Sequence, residues 1–425
     1  MTDRAYDLVV WGATGFTGRL VAEHLAERYE RTDLDWAIAG RDREGLAALR
    51  EELAGIDPAW SSLDLLTGDA FDRERLGEIA ERTRVVCAAV GPYANYGSGM
   101  VEACLDRGTN YCDVSGEIHW IRRMIDEHHE EARERGVRIV HACGFDSIPS
   151  DLGTAMVQRH AEEQFGTSCS SIGNFVSTSS LALSGGTIAG MVGTYEARSE
   201  DPAVRRALED PRSLTPGGEH GGQVEPRQRW PRYESDVDQW TAPFLMAVIN
   251  EKIVHRSNAL LGYPWGRDFE YSEVTPTGSG LPGMAVATGV SGGLALGEAL
   301  MSVAPLRRLI DRFVLPEPGE GPSRETIEGS SFEARLVGSG SSPGPGSGSG
   351  DEFTVDGVVA GDRDPYGATG WMAAEAAVCL AFGETDTPLE GGVLTPASGI
   401  GTPLVDRLRD VGMTFTLGAP DASGA

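Results

Sequence analysis

The stretch Gly12-Ala13-Thr14-Gly15-Phe16-Thr17-Gly18 has the glycine spacing of a turn that can hold a pyrophosphate. A phosphate lying against backbone N–H groups at a helix N-terminus needs residues without a Cβ, and the helix dipole favours its charge. The flanking sequence suits that use. Leu8, Val9, Val10 and Trp11 read as a buried strand, and Leu20, Val21 and Leu25 then recur at helical spacing. Strand, glycine turn and helix together predict a dinucleotide site rather than a plain strand-to-helix turn. Roughly 20 residues on, where an acid would hold a ribose 2′-hydroxyl, the chain has Gly40-Arg41 after the short strand Trp36-Ala-Ile-Ala. An arginine there accommodates a 2′-phosphate, so Gly40 and Arg41 favour NADP(H) over NAD(H). Against this stand the reading of Arg41 as a surface charge and the presence of Asp42, which could still reach a hydroxyl.

A nicotinamide reaction also needs a group that delivers or removes a proton. Tyr93 and Tyr96 lie in the loop Gly91-Pro92-Tyr93-Ala-Asn-Tyr-Gly97, and Glu117 and His119 lie in Val114-Ser-Gly-Glu-Ile-His119. Tyr93, Glu117 and His119 are the candidate proton donors. The plainer readings are aromatic packing for the tyrosines, and a structural hydrogen bond or helix start for Glu117 and His119. Asp146 and Ser147, just before Pro149, are divided between a turn that begins a helix and a cofactor or substrate role. No His/Cys/Asp cluster has metal-ligand spacing, and no G-x-S-x-G turn follows a strand.

The elements that must position these residues alternate. Strands at Leu8–Trp11, Trp36–Ala39, Ser62–Leu66, Arg84–Val90, Asn110–Asp113 and Val137–Ala142 are separated by helical patterns, one of them with Gly136 as its stop. This predicts an α/β, Rossmann-type doubly wound parallel sheet over 1–150. Asp69 and Ala70 follow the third strand, where an adenine contact commonly falls. A second, α+β substrate domain is expected over 151–385. It includes a strand at Ser170–Thr178, a helix opening at Leu183–Thr187, a strand-like run Glu251–His255 and a Gly/Ser/Pro-rich flexible loop over 337–350. Leu281–Pro305 is apolar apart from Glu298 and reads as a buried or interfacial helix in preference to membrane contact.

A net charge of −28 and a pI near 4.6 exclude nucleic acid as a partner, since phosphates would be repelled. The acids are dispersed, and Lys252 is the single lysine. That combination predicts a halophilic protein, stable only where salt screens self-repulsion. Six cysteines without C-x-x-C pairs read as buried thiols, and the N-terminus has no signal-peptide pattern, so a cytoplasmic location is expected.

The glycine turn, the Gly91–Gly97 loop, Asp113-Val-Ser-Gly-Glu117 and Gly144-Phe-Asp-Ser-Ile-Pro-Ser-Asp-Leu152 together resemble the saccharopine dehydrogenase-like oxidoreductases. Ser184-Gly-Gly-Thr187, Arg256-Ser-Asn-Ala259, Asp364-Pro-Tyr-Gly-Ala-Thr369 and Gly391-Gly-Val-Leu-Thr-Pro-Ala397 resemble the branch that holds the trans-acting enoyl reductases and the vertebrate saccharopine dehydrogenase-like oxidoreductase. The resemblance implies NAD(P)-linked hydride transfer and a C-terminal segment, 386–425, that returns to the first domain. It also implies a pyrophosphate cradle from Gly12, Thr14, Gly15, Phe16, Thr17 and Gly18. Gly91, Pro92 and Tyr93 would lie by the nicotinamide ribose, with Asp113, Ser115 and Gly116 across the cleft. The leading expectation is an NADP(H)-dependent reductase of an apolar or lipid-like substrate, enoyl or isoprenoid, with peripheral membrane contact and a homodimer as candidate associations. A saccharopine or opine-type dehydrogenase is the first alternative, for which Arg227, Arg229 and Arg232 form the one dense arginine set. A non-enzymatic NADP(H) sensor is the second.

Overall fold

The computed structural model describes residues 4–179, 185–216, 227–303, 321–342 and 351–418. The apolar runs seen in the sequence become strands β1 (Tyr6–Trp11), β2 (Trp36–Gly40), β3 (Asp64–Thr67), β4 (Thr83–Ala88), β5 (Asn110–Asp113) and β6 (Arg138–Val140). All are parallel, in the spatial order 3-2-1-4-5-6. Leu8, Val9, Val10, Val85 and Val86 are fully buried, as strands covered on both faces require. The helix Ile118–Arg135 ends at Gly136, whose φ of 66° is the left-handed geometry expected of its stop.

The second sheet is mixed. It contains β7 (Ser171–Thr178), β8 (Arg232–Glu234), β9 (Gln239–Pro243), β10 (Glu270–Gly278), β11 (Phe332–Ser341) and β12 (Glu352–Gly361). β7 and β10 pair in parallel, and the other pairs are antiparallel. Two short strands near the C-terminus are then divided between the sheets. β13 (Gly392–Leu394) extends the first sheet beyond β6, and β14 (Thr414–Leu417) pairs with β12 in the second.

Three expectations are corrected. Glu251–His255 lies inside the helix Ala247–Leu260, which is buried almost all round, so its polar residues do not mark an outward strand face. Val337–Ser341 belongs to β11, held by β7 and β12, and is no loop; residues 343–350 lie outside the described residues. The division at 385 also does not follow the packing. The helix Pro365–Phe382 covers the first sheet, against β1, β4, β5 and the helix Phe16–Arg28.

That covering helix is rich in alanine, which lets it approach closely. Gly370 lies so near the first helix that a Cβ there would meet Leu20 Cβ at 2.9 Å. Its buried Glu375 accepts from the Tyr29 hydroxyl at 2.7 Å and lies 2.8 Å from His24 Nε2. A continuous apolar core therefore runs from Leu8 and Val85 through Met372 to Leu336 and Val359 of the second sheet. All six cysteines are buried and unpaired.

The helix Gly280–Ser302 is the exception. Only Gly283, Ala287 and Ser291 of it are buried, so it is not the buried helix that was one expectation from its apolar sequence. Its remaining faces carry exposed apolar side chains, Leu281, Val286 and Leu296 among them.

Candidate functional site

The turn after β1 is built for close approach. Gly12 has φ +86°, and a Cβ there would lie 2.5 Å from Val90 Cγ2. A Cβ on Gly18 would lie 2.2 Å from the Gly12 carbonyl oxygen, so Gly18 serves to press helix against turn. The helix that follows starts at Phe16 with Gly15 as N-cap and no side-chain cap. Its first N–H groups are therefore left to an anion, the fit that a pyrophosphate requires.

These residues form one end of a cavity of about 1120 Å³ between the two sheets. Gly12, Thr14, Gly15, Phe16 and Thr17 line it, followed by Gly40 and Arg41 from the end of β2 and by Asp69 and Ala70 after β3. Arg41 is exposed and without a side-chain partner among the described residues. Asp42 instead caps the next helix by accepting from Glu44 N at 3.0 Å. The acid that could have favoured NAD(H) is thus occupied, and the free arginine suits a 2′-phosphate. Ala13 and Gly18 do not line the cavity: Ala13 is fully buried beneath the turn, and Gly18 is taken up by packing.

Gly91, Pro92 and Tyr93 line the middle of the cavity, opposite Gly116 and Glu117. The two carboxylate oxygens of Glu117 accept from Tyr93 N at 2.6 Å and Ala94 N at 2.9 Å, which ties the two carboxyl-end loops together. Burial raises its carboxyl above the ordinary value, against the lowering effect of those two amides. Tyr93 is buried in that wall, and its hydroxyl donates to Ala88 O at 2.9 Å. Burial, then Asp113, pushes that phenol well above its usual value. His119 does not line the cavity, and its ring is held below its ordinary value by burial and by Arg123. Of the three candidate proton donors, Glu117 and Tyr93 line the cavity with their polar atoms hydrogen-bonded within the protein, and His119 does not line it.

Asp113 and Ser115 do not line the cavity. Both are fully buried behind the wall, while Val114, Gly116, Glu117 and Ile118 of that loop line the cavity. Asp113 Oδ2 lies 2.8 Å from His141 Nδ1, and Asp113 Oδ1 accepts from Ser115 N at 3.0 Å. The Ser115 hydroxyl accepts from Glu117 N at 3.2 Å. Together they shape the loop that presents Gly116.

Asp146 is placed differently. It lines the cavity beside Gly116, where an added Cβ would come within 3.3 Å of Asp146 Oδ2. No hydrogen-bond partner is found for its carboxyl among the described residues. Burial alone pushes it up from 3.8 to about 7. Its neighbour Ser147 is buried and donates to Asn250 Oδ1 at 3.0 Å, which fixes the turn.

Beyond Asp146 the cavity runs between the helices Gly185–Glu200 and Gly280–Ser302, past Met191, Leu208, Phe244, Met246, Ile249 and Leu294. Its charged residues are mostly matched. Arg198 pairs with Glu298 at 3.0 Å, and Arg227 with Glu251 at 3.2 Å. Lys252 stands behind this wall, fully buried, donating to Leu208 O at 3.2 Å; burial and Arg227 hold it below its ordinary value. Among the described residues no group of three His, Cys, Asp or Glu side chains is placed to hold a metal.

A nucleotide cradle joined to an apolar chamber, with one acid at the junction, defines an NAD(P)-dependent oxidoreductase. The saccharopine dehydrogenase NADP-binding domain matches residues 8–140. A Mycobacterium tuberculosis protein with the provisional name trans-acting enoyl reductase is 37% identical, over 97% of this chain and 98% of its own. A second M. tuberculosis protein, named trans-acting enoyl reductase, is 35% identical over the same shares. The Mycobacterium ulcerans protein of that name is 34% identical, again over 97% and 98%. The chain belongs to the saccharopine dehydrogenase-like oxidoreductases, in the branch of proteins named trans-acting enoyl reductases, and its cofactor is NADP(H). The fold agrees: apo saccharopine dehydrogenase (L-Glu forming) of Saccharomyces cerevisiae superposes with a TM-score of 0.51 over 97% of this chain and 99% of that one, at 12% identity.

Proposed function

We propose that the protein reduces a polarised carbon–carbon double bond in an apolar, lipid-like substrate, an enoyl or isoprenoid unit, at the expense of NADPH. The observation that carries this reading is the position of Asp146, an unpartnered carboxyl raised to about 7 where the nucleotide cradle meets the apolar chamber. Bound NADPH supplies a hydride. Asp146, about half protonated at pH 7, gives its proton to the carbon that the hydride leaves electron-rich, and the carboxylate then takes a proton from water. Glu117 holds the Tyr93–Ala94 turn against the second loop, so that the reacting groups meet a fixed wall. Met191, Leu208, Phe244 and Leu294 exclude water from the far end.

The saccharopine or opine-type alternative needs arginines free for several carboxylates. Arg227 and Arg232 are instead paired with Glu251 and Glu234, leaving Arg229 of that set. The sensor alternative falls with the assignment to an oxidoreductase family. The test is NADPH oxidation with enoyl, isoprenoid and imine compounds. Consumption with an enoyl or isoprenoid compound is expected; silence across all three classes, with NADPH binding confirmed by fluorescence, would overturn the reading.

A further inference from the structure

We infer, on the reading of the site proposed above, that the substrate is amphipathic: an uncharged, hydroxyl-bearing head is held at the far end of the chamber, about 12 Å from the bond that is reduced.

One helix runs the length of the cavity. Thr187, Gly190, Met191, Thr194, Tyr195 and Arg198 of Gly185–Glu200 all line it, at the i, i+3, i+4, i+7, i+8, i+11 spacing of a single helix face. Its first turn stands at the nucleotide end. The Thr187 hydroxyl lies 2.9 Å from the Tyr366 hydroxyl, and the Tyr366 ring packs edge-on against Phe16 with centroids 5.6 Å apart. Gly190 stands at the junction, where an added Cβ would lie 3.5 Å from Glu117 Oε1, on the loop that carries Gly116. Arg198 stands at the far end, held by Glu298 at 3.0 Å and by Glu209 at 3.6 Å. Eight residues of α-helix separate Gly190 from Arg198, a rise of about 12 Å. Thr194, on the face between them, donates its hydroxyl to Gly190 O at 2.8 Å, so that stretch of the helix offers the chamber no free polar group.

The far end has a hydrogen-bonding group to spare. Among the described residues no hydrogen-bond partner is found for the Tyr195 hydroxyl. Burial raises this phenol above its ordinary value, Glu298 adds to the rise and Arg198 opposes it, which sets the ring beside that ion pair. A half-buried hydroxyl at the end of an apolar chamber is completed by a polar group on the molecule that fills the chamber. Charge selects the kind of group. Glu209 and Glu298 share Arg198, which leaves one negative charge over, and Arg229, unpaired among the described residues, supplies one positive charge. Arg227 is matched by Glu251. With these charges in balance, a carboxylate or phosphate head gains no net attraction, whereas a hydroxyl can accept from Tyr195 and donate to Glu298. A span of about 12 Å corresponds to an extended chain of about ten atoms at ~1.2 Å each.

The experiment uses the full chain, NADPH and enoyl compounds that end in a hydroxyl or in a methyl group, with about five, ten or fifteen chain atoms beyond the double bond. At about ten atoms the hydroxyl-ended compound should show a kcat/KM about tenfold above that of its methyl-ended twin. The shorter and longer pairs should show no such advantage. Tyr195→Phe, which removes one oxygen, should bring the ratio at about ten atoms close to one. A ratio that is the same at all three lengths, or that survives in Tyr195→Phe, overturns the head-group site. So does a preference for a carboxyl-ended compound of the same length. Calorimetry of the saturated compounds with the NADP+-bound protein needs no turnover and separates the two proposals. If no enoyl compound consumes NADPH, the proposed reduction fails and calorimetry decides the site. Binding of the hydroxyl-ended compound about tenfold tighter than the methyl-ended one, in wild type but not in Tyr195→Phe, supports it; equal binding overturns it.

Discussion

At the nucleotide end of the cavity the wall is largely backbone, with Gly12, Gly15, Gly40 and Gly91 bringing the main chain close, whereas at the far end it is side chain, supplied by Met191, Leu208, Phe244 and Leu294. A phosphate is held by N–H groups and a dipole, and these tolerate few residue types. An apolar chamber is filled by any side chains of suitable volume. The first end is therefore fixed in chemistry and the second free to vary in shape, and Asp146 stands where they meet.

The largest expected effect lies at that junction. Asp146→Asn should lower kcat by about 100-fold or more while leaving NADPH affinity unchanged; an Asn variant that turns over normally would remove the chemical meaning of the boundary. The pH profile sharpens the point. Because the raised pKa of Asp146 keeps the donor protonated below about 7, kcat should fall as pH rises through that value, and the fall should be absent in the Asn variant. Next comes the backbone end. Gly12→Ala puts a Cβ 2.5 Å from Val90 Cγ2 at φ +86°. Strain of about 2 kcal/mol should weaken NADPH binding about 30-fold in a fluorescence titration. Arg41→Ser tests the side-chain part of the same end: a loss of about tenfold in NADPH affinity, with NADH unaffected, is expected for an exposed charge-assisted contact. The smallest effect belongs to Tyr93→Phe. It removes the bond to Ala88 O and should cost about 1 kcal/mol of stability in a denaturant melt, with kcat unchanged, because the hydroxyl is bonded within the protein.

The same contrast explains what could be read from the chain beforehand. The glycine turn, Arg41 and the six parallel strands are local or periodic signals, and they carry the fold class and the cofactor. The helix Ala247–Leu260 was not legible, because Asn250, Lys252 and Ser257 are buried by partners far away in sequence and leave no amphipathic period. Tyr93 and Glu117 were rightly placed on the cavity loops, but the direction of a side chain is set by tertiary contacts. Asp113 and Ser115 turned inward for the same reason. Asp146 was visible as a residue before a helix; what distinguishes it is a missing partner, and spacing cannot display an absence.

The late strand β13 and the helix Pro365–Phe382 carry a consequence for biosynthesis. Both complete the sheet that the first residues begin. On the ribosome, β4 and β5 must wait with an uncovered apolar face until residues 365–382 have emerged. A nascent chain stalled before residue 365 would lack that cover, and uncovered apolar surface of this kind favours aggregation.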